Sequence, residues 1–144
     1  MRIAIFVIVV LAPFVLITVL NHLFVRRAKA FEQLLNAKWR CRPLGYSRIR
    51  GMYRGSECEI FGGPIEGYYS LYLTWPKLPR QRRFMVSYPR VAPGVHQLGN
   101  RLKSHRDSRI LNPGLEFTKA EIAMMFDELI RIAEEIVRAQ SEAD

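Results

Sequence analysis

The first pattern along the chain is an apolar run without interruption. Residues 3–25 are dominated by Ile, Val, Leu and Phe and hold no acidic or basic side chain, a protonated His22 excepted. As a helix the run spans roughly 34 Å, enough to cross a bilayer with some tilt. Pro13 falls near its middle, a residue that membrane helices tolerate. Asn21 and His22 fall at about headgroup depth. No small-xxx-small pair of the glycine type marks the helix for close pairing with a second copy. The alternative is a cleaved signal peptide with a site at Ala28-Lys29-Ala30. The run is longer than a signal-peptide core of roughly 7–15 residues, and Arg26, Arg27 and Lys29 crowd the site, so a retained anchor is expected.

Residues 26–38 keep helical spacing, with Phe31, Leu34 and Leu35 on one side, which predicts that the anchor continues into the following domain as one helix. From 46 to 88 the period falls to two. Strands are predicted at 47–53, 57–61, 68–75 and 83–88, the first two joined by the three-residue connection Arg54-Gly55-Ser56. Alternation turns Ile49, Cys58, Ile60, Tyr69, Leu71, Leu73, Trp75, Phe84, Val86 and Tyr88 inward. It turns Arg48, Arg50, Met52, Tyr68, Tyr72 and Met85 outward, with Arg48, Arg50 and Arg54 opposite Glu57 and Glu59 as cross-strand pairs. Residues 89–117 hold three turn signals, at Pro93-Gly94, Gly99-Asn100 and Asn112-Pro113-Gly114, and read as a long irregular loop. Thr118 and Glu121 fit a capping box that opens an amphipathic helix over 118–140, with Ile122, Met125, Phe126, Leu129, Ile132, Ala133 and Ile136 on its apolar face.

The expected fold class is therefore α+β. A single N-terminal transmembrane helix (1–25) is followed by a small basic domain (26–144) with a four-stranded antiparallel β-meander and a C-terminal amphipathic helix packed on it.

Charge adds orientation and surface. The chain carries a formal +9, but residues 26–106 hold 17 basic and 4 acidic side chains, whereas 107–144 hold 4 basic and 9 acidic. Arg26, Arg27, Lys29, Lys38, Arg40 and Arg42 follow the apolar run closely, and only Arg2 precedes it. The positive-inside rule then predicts a single-pass protein of the cell inner (cytoplasmic) membrane, its N-terminus outside and its domain cytoplasmic. In that compartment Cys41 and Cys58 are expected as reduced thiols, and export would let them pair. Their spacing fits no metal motif, and neither a metal nor a cofactor is expected. His105 and Asp107 form the most suggestive pair for acid and base chemistry, but no nucleophile or phosphate loop accompanies them in sequence.

With no catalytic constellation, the predicted role is non-enzymatic: an accessory or structural subunit of a larger membrane protein complex. The alternative is a free-standing anchored module that binds anionic lipid, nucleic acid or an acidic protein through its basic surface. An enzyme would need His96, His105 or a thiol activated by its surroundings. The residues expected to touch other membrane subunits or anionic lipid headgroups are Arg26, Arg27, Lys29, Arg48, Arg50, Tyr68, Tyr72, Arg101, Lys103 and Arg106. Nucleic acid is the least favoured partner, since a membrane anchor accompanies the basic surface.

Overall fold

The computed structural model describes residues 2–27, 29–40, 47–62, 68–78, 86–87, 94–107 and 117–143. The apolar run forms α1 (Arg2–Arg27), with Pro13 inside it. Its segment Ile3–Leu20 is long and apolar enough to cross a membrane, and no residue of it is fully buried in the protein. The polar hydroxyl within that segment is satisfied locally, Thr18 Oγ1 donating to the Phe14 carbonyl at 2.8 Å. Leu20 packs against the domain core. Helix α2 (Lys29–Leu35) follows. The predicted continuity of α1 and α2 turns on Ala28, which lies outside the described residues.

Helix α2 stops because Asn36 takes a left-handed φ of 47°. The Ala37 N–H then reaches back to the Glu32 carbonyl at 3.3 Å, the six-to-one bond of a Schellman end. The Glu32 carboxylate also accepts the Trp39 N–H at 3.1 Å, so the chain leaving the helix is tied to it.

The sheet is antiparallel throughout. Its strands are β1 (Ser47–Tyr53), β2 (Ser56–Gly62), β3 (Tyr68–Thr74), β4 (Val86–Ser87), β5 (Val95–Leu98) and β6 (Arg101–Asp107), in the spatial order β1-β2-β3-β6-β5-β4. Five of these are full strands of four to seven residues, and β4 is a two-residue edge piece. The expected four-stranded meander is therefore corrected. After β3 the next neighbour is not the 83–88 segment but β6, paired from Tyr68↔Asp107 to Thr74↔Arg101. Of that expected fourth strand, Val86 and Ser87 pair with β5 instead, and residues 83–85 and Tyr88 lie outside the described residues.

The predicted loop 89–117 thus contains a hairpin. Gly99 takes φ +62° in its two-residue connection, and the buried Gln97 side chain donates to the Gly99 carbonyl at 2.9 Å. The first hairpin also turns in two residues rather than three. Arg54 (φ 48°) and Gly55 (φ 77°) both lie at positive φ, as a type I′ turn requires.

One face of this sheet is covered. Ile49, Cys58, Ile60, Tyr69, Leu71, Leu73, Val95 and Leu102 are buried against α2 and against α3 (Lys119–Ser141). The predicted capping box opens α3: Glu121 N–H donates to Thr118 Oγ1 at 3.1 Å, and Thr118 N–H to Glu121 Oε2 at 2.8 Å. Ile122, Phe126, Leu129, Ile132, Ala133 and Ile136 are buried as the apolar face predicted, and Met125 is half-buried. Helix α2 lies close over β1, its Leu35 backbone above Gly51, where no side chain intervenes.

The core thiol of Cys58 is free, and burial pushes its pKa up to about 12, so it stays protonated and unreactive at neutral pH. Cys41 lies outside the described residues.

A candidate cationic docking face

The other face of the sheet carries no helix among the described elements. Register lines up Arg50, Glu59, Tyr72, Lys103 and His96 as one row across β1, β2, β3, β6 and β5. Arg48 and Arg101 stand in the rows on either side. Sequence alternation had placed Arg48, Arg50 and Tyr72 here, whereas Arg101 and Lys103 arrive through a pairing that alternation alone does not reveal.

The centre of the face is Glu59. Its side chain is only 8% exposed, although alternation points it outward. Arg50 Nη2 reaches Glu59 Oε2 at 3.3 Å, Arg101 Nη2 reaches the same oxygen at 2.5 Å, and Arg48 Nε lies 3.6 Å from Oε1. Arg50 also contacts Glu57 at 3.3 Å. The expected cross-strand pairs of Arg48 and Arg50 with Glu57 and Glu59 form, and Arg101 joins them, so that one carboxylate holds three guanidinium groups drawn from β1 and β6. Arg54 departs from expectation. It pairs with Asp127 of α3 at 3.1 Å rather than with β2, and the Tyr53 hydroxyl donates to the same carboxylate at 3.0 Å. Burial first, and then that hydrogen bond, hold the Tyr53 hydroxyl above the ordinary phenol range.

Tyr72 provides the apolar floor. The Arg101 guanidinium lies 4.5 Å from its ring centre and Lys103 Nζ 5.6 Å, so two cations share one aromatic ring. Arg101 is the most enclosed of the arginines, and its Nε is buried with no hydrogen-bond partner among the described residues. Fixed by ring and carboxylate, these cations have little rotamer freedom left to lose when something docks on them.

Glu59→Gln is expected to destabilise the domain by about 1–3 kcal/mol. Breaking a fully buried pair costs more, but Arg48 and Arg50 are half exposed and water screens them in part. Thermal unfolding of the detergent-solubilised protein reads this directly. A shift no larger than that of an exposed substitution such as Met52→Ala would mean that Glu59 does not organise the face.

The remaining predicted contacts fall elsewhere. Arg26 is exposed on α1, and Lys29 is exposed at the start of α2, which lies over the opposite face of the sheet. The side chains of Arg27, Tyr68 and Arg106, and all of Met85, lie outside what is described; by backbone register Arg106 pairs with Tyr69. Sequence reasoning missed Lys38 and Arg40 as members of this region. Beside β1, a cavity of about 380 Å³ is lined by Ala37, Lys38, Trp39, Arg40, Arg48 and Arg50.

The proposed acid and base pair acquires a neighbour that is not visible in sequence. Ser70 Oγ lies 3.2 Å from His105 Nδ1, directly across β3 and β6, but Ser70 is buried. Asp107 lies in β6, its side chain outside what is described. Among the described residues no group of three His, Cys, Asp or Glu side chains is placed to hold a metal ion. Comparison with protein-family models, with curated protein sequences and with solved structures finds no match to this chain.

Proposed function

We propose that this chain is a non-enzymatic single-span membrane protein that serves as an accessory subunit of a larger membrane complex, docking an acidic surface of that complex on its outer sheet face. The observation that carries the proposal is the Glu59 cluster: Arg48, Arg50, Arg101 and Lys103 are gathered around Tyr72 on a sheet face that no described helix covers. Arg together with an aromatic ring on an open face is the composition of an interface core, and fixed charge complementarity selects the partner and speeds encounter. Helix α1 holds the domain at the bilayer. The basic residues after it favour a domain on the cytoplasmic side of the cell inner membrane, where the exposed Arg26 and Lys29 would meet anionic headgroups. The second reading, a free-standing anchored module, rests on the same charge and differs in what accompanies the protein.

Native mass after mild detergent extraction from its own membrane separates the two. An accessory subunit migrates in a large particle of defined composition, and Lys103→Glu combined with Tyr72→Ala lowers its retention there by about tenfold or more, as does raising salt well above physiological strength. A particle of one or two copies plus detergent would rule out the accessory subunit and leave the free-standing module.

A further inference from the structure

The cavity beside β1 is built differently from the face it adjoins. Leaving α2, the chain runs back along the outer edge of β1. There Arg40 and Arg48 exchange two backbone hydrogen bonds, Arg40 N–H to the Arg48 carbonyl at 2.7 Å and Arg48 N–H to the Arg40 carbonyl at 3.0 Å. Residues so paired carry their side chains on the same side of the sheet, so two arginine side chains leave the backbone directly opposite each other, and of the two only Arg48 has a carboxylate within reach among the described residues, Glu59 at 3.6 Å. That arrangement of like charge is destabilising unless something neutralises it.

Trp39 holds the strip in place. Its ring is buried against Phe31 and Tyr69, with centroids 6.1 and 6.2 Å away, while exposed Lys38 and Arg40 flank it. Four cations, Lys38, Arg40, Arg48 and Arg50, therefore line one cavity of about 380 Å³. Among the described residues only Glu57 and Glu59 reach any of them, both on the β2 side, and Arg101 also draws on Glu59. Among the described residues Lys38 and Arg40 have no ion-pair partner at all.

We infer that this cavity is a binding site for a phosphomonoester dianion. Paired guanidinium forks match the oxygens of a phosphate, and Lys38 adds a compact charge at the mouth. The volume lies in the range of small-molecule sites, which leaves room for the organic group that the phosphate esterifies. The same chemistry is offered by a soluble phosphomonoester and by a lipid headgroup ending in one. The inference stands whether or not a protein docks on the outer face.

Isothermal titration calorimetry on the full chain in nanodiscs of zwitterionic lipid, with glycerol 3-phosphate and then inorganic phosphate as titrants, tests the soluble source. Binding of glycerol 3-phosphate to phosphatidylcholine nanodiscs, compared with the same titration into nanodiscs containing phosphatidate, tests the lipid source, since headgroups that fill the site abolish the soluble titration. The expected result is saturable binding of glycerol 3-phosphate to the protein in phosphatidylcholine nanodiscs, retained with phosphatidate present if the source is soluble and abolished there if the source is lipid. Lys38→Ala combined with Arg40→Ala should weaken it by about tenfold or more, while Lys103→Ala changes it by less than about twofold. Because both truncated side chains lie on the surface strip, an unchanged thermal midpoint certifies the double variant, and Arg40→Gln serves if it does not fold. Absence of saturable heat in phosphatidylcholine nanodiscs, or equal loss with Lys103→Ala, would overturn the site. Lys38→Ala with Arg40→Ala should leave native mass unchanged, and Lys103→Glu with Tyr72→Ala should leave phosphate binding intact, so each proposal fails separately.

Discussion

Phe31→Ala is expected to cost the domain about 3–5 kcal/mol, the range found when a fully buried phenylalanine is truncated. Phe31 is 0% exposed and touches three rings, with centroids at 5.4 Å (Tyr69), 5.6 Å (Phe117) and 6.1 Å (Trp39). Each contact ties a different part of the chain to α2: the sheet, the entry to α3, and the strip that carries Arg40. Set against a typical total stability of about 5–15 kcal/mol, this is a large fraction. For a domain of this size it corresponds to a fall in thermal midpoint of roughly 10–20 °C. Circular dichroism of the detergent-solubilised protein checks it, with the exposed Met52→Ala as the control expected to stay within about 0.5 kcal/mol. A loss for Phe31→Ala near that of the control would mean that the aromatic cluster is not the centre of the core.

The second large effect runs against ordinary strand preference. Alanine normally suits a strand interior better than glycine does, yet Gly51→Ala is expected to destabilise by about 3 kcal/mol. A Cβ at Gly51 would stand 2.6 Å from the Leu35 carbonyl oxygen and 2.8 Å from Leu35 Cβ. Backbone cannot swing aside as a long side chain does, so α2 must lift from the sheet and open the core beneath it. Gly55→Ala makes the comparison. Nothing lies within 4 Å of its Cβ, but φ is +77°, so it should lose only about 1 kcal/mol through backbone strain. Chemical unfolding of both variants should therefore rank Gly51→Ala well below Gly55→Ala; the reverse order would show that α2 does not sit on β1 as described.

Much of this architecture was readable before any coordinates. The length of the apolar run, the Thr118 and Glu121 pair ahead of an amphipathic face, and the alternation of β1 to β3 are strong local signals. Each corresponds to an observed element, and α3 and β1 to β3 bury most of the residues expected on their inner faces, while Trp75 and Met125 are half-buried. The β5–β6 hairpin was not readable because its inward positions are partly polar. Gln97 and Ser104 are buried beside Val95 and Leu102, while Leu98 is 51% exposed, so alternation of hydrophobicity nearly vanishes there. The pairing of β3 with β6 is a further loss of the same kind, since it joins segments about thirty residues apart and sequence order favours neighbours.

The candidate face was legible as outward Arg48, Arg50 and Tyr72, with Arg48 and Arg50 opposite Glu57 and Glu59, pairs that the structure contains. That Glu59 is buried among arginines depends on Arg101 arriving from β6, a consequence of the same unread pairing. The signal for Lys38 and Arg40 was weaker still. Two residues forming a bridge carry no periodicity, and the only hint was a tryptophan between two basic side chains after the helix.

A strand at the border of a sheet offers free N–H and C=O groups on which another chain can add. Here the Arg40 backbone takes up the Arg48 groups at the β1 border, and the side chain it brings there is charged. Strand addition by a second copy at that point would have to displace the bridge and bring like charges together. The short strip after α2 therefore also guards the β1 border at that point against edge-to-edge joining of two domains.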